Sequence, residues 1–505
     1  MKNKGGKRVG HPVVSRRTFL KAGVAVGVGA AAGPFVLRKA KAQGIQKALP
    51  EPGPDELRII ESAKKLKKNV DLSFVAWGGH AKGQMEHLAE AFKKHTGIGV
   101  GSIVDISFAM LSQRAMAEAL ARSGKLDLLH VHADTVPTLA TAGLAAPLDD
   151  YMKAVDFDYT TVGTFADMSR HEGKTYGLVT DGNCHIYYVR KDILENPDNQ
   201  KRYADKYGAP LKMPNTWKEY LRQGAFFGSD PNTMTGFGNL RARRWGYWWF
   251  LINYYNHGLF PFTADVEPNF DNDAAEAALV AYLAEKPHVI RDFDNWGTAQ
   301  MWLHVGSGKA YQSIYWGGLL PLWENPQKYP RVAGKWLHGI TPGKVQPNGR
   351  RLVRTIQAGA PLVVANRHSP NLDAAAHMAM WWTSPRNSTY ITGGPISTVH
   401  EPWRPVHFKD PYNKKVYTPS GLDAMFLSLQ VNSPTVRVTG ALEFNDLLDK
   451  HVSDAWLGVV KPREALKRVD ADWRKVIARV GKGRLRKDVE SYRRAMPKVD
   501  EPVTS

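Results

Sequence analysis

The sequence predicts an α/β fold built on a parallel sheet, and three observations predict it. Residues 70–77, Val-Asp-Leu-Ser-Phe-Val-Ala-Trp, alternate with the period of a half-buried strand and end at Gly78-Gly79. Residues 104–107 and 126–132 are two further apolar runs of strand length. After each run the apolar residues recur every three or four positions. Strand and helix therefore alternate three times, an order that demands crossover helices and parallel strands.

The first helix carries Met85, Leu88, Ala89 and Phe92 on one stripe, and Gly97 sits where a helix C-terminal cap is expected. The second carries Leu111, Ala115, Met116 and Leu120 and closes at Gly124. Asp134 and Thr135 are placed to cap the third, with Pro137 in its first turn. Farther on, residues 310–315 read as a strand, and residues 374–383 as a helix whose Trp381 and Trp382 pack inward. From about residue 440 the pattern is helical and increasingly charged, and is expected to form a solvated tail.

The chain has 505 residues, enough for two or three domains, and a hydrophobic fraction of 43% excludes global disorder. Its formal charge is +20, but ten of the positive charges lie in residues 1–42, which hold no Asp or Glu; 20 less 10 leaves +10 on the rest. The body is only mildly basic, so nucleic acid is not expected as a partner. A single cysteine, Cys184, excludes an intramolecular disulfide and a thiolate zinc site.

Residues 15–21, Ser-Arg-Arg-Thr-Phe-Leu-Lys, match the twin-arginine export pattern, with Arg16 and Arg17 as the pair. A weakly apolar stretch, residues 22–37, follows, then Arg38-Lys39 and the small-x-small site Ala40-Lys41-Ala42. The stretch is shorter than the roughly 20 residues a membrane span needs, and it holds four glycines, so cleavage after Ala42 is expected rather than an anchor. The mature protein is then expected in the periplasm, delivered by the twin-arginine translocase.

In an open parallel sheet, ligands bind beyond the carboxyl ends of the strands. Those ends carry Trp77, Ser107 and the pair His132 and Asp134: an aromatic face, a hydroxyl and a carboxylate, which suit a polyhydroxylated ligand. Trp245, Trp248, Trp249, Phe250, Tyr254 and Tyr255 recur at helical spacing and read as core, with Trp248 among them. Trp316 ends a strand and is followed by Gly317-Gly318, so it reads as a ligand platform at the start of a loop.

Residues 126–152, with Asp127-Leu128-Leu129-His130-Val131-His132-Ala133-Asp134 and the later Ala142-Gly143-Leu144-Ala145-Ala146-Pro147-Leu148-Asp149-Asp150-Tyr151, resemble the family-1 extracellular solute-binding proteins. These are sugar-binding components of ABC importers, related to maltose-binding protein. Residues 91–97, 176–183, 187–192, 316–318 and 381–385 are similar too, so the resemblance covers roughly residues 70–480. It implies a type II periplasmic-binding-protein fold of two α/β lobes with the ligand cleft between them. The implied division is a signal peptide at 1–42, an arm at 43–69, lobe 1 at 70–181 and 357–400, lobe 2 at 182–356 and 401–480, and a basic tail at 481–505. Crossings are implied near Asp181 and Ile356. The cleft residues it implies are Trp77, Asp134, Asp181, Asn183 and Trp316; Ser107 and His132 rest on the strand ends alone. The implied partners are a carbohydrate ligand and an inner-membrane ABC permease; the protein is expected to be a monomer with no cofactor and no reaction of its own. The long arm, residues 196–214 and the basic C-terminal helix depart from the family pattern and leave the sugar open.

Two other chemistries fit some of these residues. His130, His132 and Asp134 share one strand face, as metal ligands of a hydrolase do, although Thr135 stands where such sites carry a further histidine. Asp134 and Asp181 at loop positions could form the carboxylate pair of a glycosidase. Cys184, beside Asn183, reads as a small buried residue.

Overall fold

The structure, a computed structural model, describes residues 49–77, 82–357, 359–393 and 400–503. The export signal with Arg16, Arg17 and Ala42, and the pair Gly78-Gly79, lie outside the described residues.

Two sheets organise the chain. The first has the order β2 (Ile98–Ile106), β1 (Val70–Trp77), β3 (Leu128–His132), then the strands Pro361–Ala365 and Leu178–Val179. β1 pairs parallel with both β2 and β3, as the alternation of strands and helices predicts. Pro361–Ala365 runs antiparallel to β3, with Pro361 opposite His132, so the completed sheet is mixed. The second sheet has the order Trp336–Gly339, His185–Arg190, Ala310–Trp316, Thr235–Phe237. Residues 180–184 carry the chain from the first sheet to the second. The strand Thr355–Gln357, just before the return to the first sheet, pairs parallel with Asn432–Pro434.

Burial explains why these segments hold their places. In β1, Leu72, Phe74 and Ala76 point into a core shared with Met85, Leu88, Phe92, Trp381 and Trp382. The helix Leu111–Ala121 buries Leu111 and Ala115 as its spacing predicts, but Leu120 is exposed. Its left-handed cap is Arg122, two residues before the likewise left-handed Gly124. In the arm, helix Pro54–Ala63 is docked: Ile59, Ile60 and Ala63 are buried in the same core, and buried Glu56 accepts from the backbone N–H groups of Gly53 and Arg386.

The expectation of a solvated tail beyond residue 440 is overturned. Helices Ala441–Leu457, Pro462–Val480 and Lys482–Arg494 bury Phe444, Trp456, Trp473, Leu485 and Tyr492. Trp473 packs on Phe262, Phe270 and Phe444. The charges that dominate the composition sit on the opposite helix faces, so net polarity hides a continuous apolar stripe. Among the described residues no helix is long and apolar enough to cross a membrane.

Candidate functional site

Three chain segments are knotted together where the chain passes between the sheets. Asp181 is fully buried, and its Oδ1 accepts the backbone N–H of Glu401 at 2.7 Å and of Asn183 at 3.3 Å. Gly182 donates its N–H to the carbonyl of Glu401 at 2.9 Å, and Gly318 donates to Glu401 Oε1 at 2.9 Å. A Cβ on Gly182 would lie 2.2 Å from the carbonyl oxygen of Pro402, so only glycine permits this approach. Burial first, and then the Asp181 carboxylate beside it, push the Glu401 carboxyl well above the usual range. Glu401 had no signature in the sequence. Cys184 next door is buried, and burial pushes its thiol up, as the reading of a small core residue requires.

Gly317 serves close packing rather than loop freedom: a Cβ there would lie 2.5 Å from Met425 Sδ. After Trp316 the chain enters a short helical turn, Gly317–Leu319, and not the expected loop. The Trp316 indole N–H donates to Asn183 Oδ1 at 3.2 Å, and its ring lies 4.6 Å from that of His185. Rings then continue from one sheet to the other. Trp316 meets Trp248 at 5.8 Å, Trp248 meets Phe108 at 6.4 Å, and Phe108 meets Trp77 at 4.8 Å. Trp248 sits on helix Gly246–Asn256, every residue of which is buried, so the expected core reading holds for burial. Yet its ring is also part of the seam between the sheets, which helical spacing alone does not reveal.

A pocket of about 60 Å³ opens beside this seam, lined by Phe108, His132, Asp134, Trp245, Tyr247, Trp248, Asn445, Asp446 and Asp449 among others. Asp134 and His132 come from the end of β3, as the strand-end argument anticipates. Asp134 Oδ2 accepts from Thr435 Oγ1 and Asn445 Nδ2, each at 3.1 Å, while its Oδ1 has no partner. Burial raises its pKa to about 7, offset in part by the Thr435 hydrogen bond and the Arg437 charge. Asp449 Oδ2 accepts the Arg244 backbone N–H at 2.8 Å and its Oδ1 is likewise unpartnered; burial raises this carboxyl to about 7 as well. Asn445 and Asp449 share a helix face at i and i+4, the one pattern by which they could have been found.

Ser107 is exposed, and its neighbour Phe108 lines the pocket instead. Trp77 and Trp316 touch the ring seam, while Asp181 and Asn183 belong to the crossing rather than to the pocket wall. Asp134 and Asp181 therefore do not line one pocket, which removes the support for a glycosidase pair.

The metal-hydrolase alternative is not built either. His130 Nδ1 accepts the backbone N–H of Trp77 at 3.2 Å, and His132 Nε2 donates to the Phe108 carbonyl at 3.0 Å. Burial lowers their pKa values to about 3 and about 4, so both rings are neutral. Among the described residues no three His, Cys, Asp or Glu side chains converge as metal ligands.

The sequence model described as bacterial extracellular solute-binding protein matches residues 87–397. The chain belongs to that family. Among curated proteins none matches it. Solved structures share the two-sheet fold at low identity. Maltose-bound MalE3 of T. maritima is 18% identical, with a TM-score of 0.67 over 81% of this chain and 100% of that one. An ABC-transporter solute-binding protein of Agrobacterium radiobacter K84 in complex with ribitol is 16% identical, with a TM-score of 0.67 over 81% and 99%. The GacH receptor of Streptomyces glaucescens, studied unliganded and with acarbose, is 19% identical, with a TM-score of 0.66 over 82% and 99%. The family places the protein among exported binders of small solutes.

Proposed function

We propose that this protein is the periplasmic substrate-binding component of an ABC importer and that it takes a carbohydrate: a sugar, oligosaccharide or polyol. The observation that carries this reading is the seam of Trp77, Phe108, Trp248 and Trp316 running between the sheets beside buried carboxylate and amide oxygens without partners. Aromatic faces stack on the C–H faces of sugars, and acceptors take their hydroxyls. Family membership and fold neighbours that hold maltose, ribitol and acarbose support the same class of ligand.

The lobes are assigned as residues 70–181 with 357–400 and residues 182–356 with 401–480. Ligand bridges them by hinge closure about the Asp181–Asn183 crossing, and the closed form is what the permease engages. The protein performs no reaction, acts as a monomer and reaches the periplasm by the twin-arginine route with cleavage after Ala42. A thermal-shift screen of the purified protein across neutral sugars, polyols and uronates tests the reading, because a ligand that binds only the folded state raises its stability. At least one compound should raise the melting temperature and also shrink the radius of gyration in small-angle scattering. A screen in which none does would overturn the carbohydrate reading.

A further inference from the structure

The unpartnered atoms around the pocket are mostly acceptors. Asp134, Asn445 and Trp248 are 7%, 5% and 4% exposed, and Asp449 is 3% exposed. Asp134 Oδ1, Asn445 Oδ1 and Asp449 Oδ1 have no hydrogen-bond partner, and neither do Trp248 Nε1 and the Ser112 hydroxyl. The Asn445 amide is oriented without ambiguity: its Nδ2 donates to Asp134 Oδ2 at 3.1 Å and to the Val436 carbonyl at 3.2 Å, so its free atom is the oxygen. A buried acceptor left unpaired is costly, and three around one pocket call for a donor from outside the chain.

A hydroxyl brings one hydrogen; a primary ammonium brings three. The pocket's about 60 Å³ suits a small head group, with the sugar ring left outside it. Its walls add aromatic rings, Trp245, Tyr247 and Trp248, which attract cations through their faces. Carboxylates outnumber cations: Asp134, Asp446 and Asp449 line the pocket with one arginine, the exposed Arg244, which gives Asp449 its backbone N–H, while the exposed Arg243 places its Nε 3.7 Å from Asp449 Oδ2. Buried Arg437 acts on Asp134 through its charge alone, its hydrogen bonds going to the carbonyls of Met168 and Arg170 and to Ser491 Oγ. We propose that the pocket receives a primary ammonium group of a polyhydroxylated ligand, so that the solute is an amino sugar or amino polyol. This rests on the carbohydrate-binding reading above and narrows it. An ammonium would also hold as carboxylates the two aspartates that burial pushes up to about 7.

Calorimetry on the purified protein with matched pairs tests this: glucamine against D-sorbitol, and glucosamine against D-glucose and N-acetylglucosamine. In at least one pair the amine should bind ten times or more tighter than its hydroxyl counterpart, and acetylation should abolish the advantage. Asp449→Asn keeps an acceptor for the Arg244 N–H but removes the charge, so it should weaken amine binding about ten times more than it weakens binding of the neutral polyol. If that variant melts early, Asp446→Asn, at an exposed pocket position, should show the same loss in milder form. Equal or tighter binding of the hydroxyl member in both pairs overturns the proposal and leaves the carbohydrate reading standing. No binding by any member overturns it too, while the wider sugar screen judges the parent reading separately.

Discussion

The indole N–H of Trp316 donates to Asn183 Oδ1 at 3.2 Å, tying the end of one strand of the second sheet to the segment that enters that sheet. The same ring stands 5.8 Å from Trp248, whose own N–H has no partner. Two tryptophans in contact thus have different hydrogen-bonding states, one committed within the chain and one not.

Trp316→Phe and Trp248→Phe separate these states. Each leaves a similar small void, costing about 1 kcal/mol. Trp316→Phe also loses a made hydrogen bond, a further roughly 1 kcal/mol, so it should melt earlier than Trp248→Phe. Trp248→Phe should instead weaken sugar binding about tenfold, the worth of one buried hydrogen bond to the ligand. Thermal melting and calorimetry on both variants decide, and swapped phenotypes would refute the assignment.

Gly182→Ala should disturb the crossing itself. The added methyl would lie 2.2 Å from the backbone oxygen of Pro402, with no flexible side chain to yield. A loss of about 1–3 kcal/mol in urea unfolding is expected, together with weaker closure by scattering. An unchanged unfolding midpoint would mean that the crossing tolerates separation.

Stability should fall as the pH drops from about 6.5 toward 4. Burial lowers His130 and His185 to about 3 and His132, His304 and His338 to about 4, from an ordinary 6.5. With a depressed pKa, each imidazole binds a proton on unfolding but not while folded. Its contribution is therefore complete above 6.5 and shrinks with falling pH, by up to about 1.4 kcal/mol per unit. Asp134 and Asp449, raised to about 7, work in the opposite direction: their contribution is complete below the ordinary aspartate value and lost as pH rises to 7. Raised Glu401, Glu285, Glu324, Asp446 and Asp470 add to that opposing side. Lowered His171, His257 and His377, with the lowered carboxyls of Asp158 and Glu219, add to the other, so melting temperature should decline on acidification. Asp449→Asn removes one opposing group and should make the decline steeper; a shallower one would contradict the sign.

Export should depend on Arg16 and Arg17. Replacing both with lysine keeps the charge but breaks the seven-residue pattern and should leave uncleaved precursor in the cytoplasm. Undiminished periplasmic protein in that variant would show that another route is used.

The sequence by itself determined the parallel order of β1, β2 and β3, because alternation along a strand and three- and four-residue spacing along a helix are local periodicities. It also marked His132 and Asp134, because the carboxyl end of a parallel strand is a topological position. Only the tertiary structure decided what faces them. Asp134 meets Thr435 and Asn445 some 300 positions away, and neither has a motif of its own. Trp248 shows the limit most directly: on a helix buried all round, the spacing of apolar residues says that a ring is inside, but not whether it faces packed core or a pocket. Likewise, the C-terminal helices look solvated by charge alone, because burial belongs to one face and depends on aromatic partners such as Phe262 and Tyr255 that fold up against it.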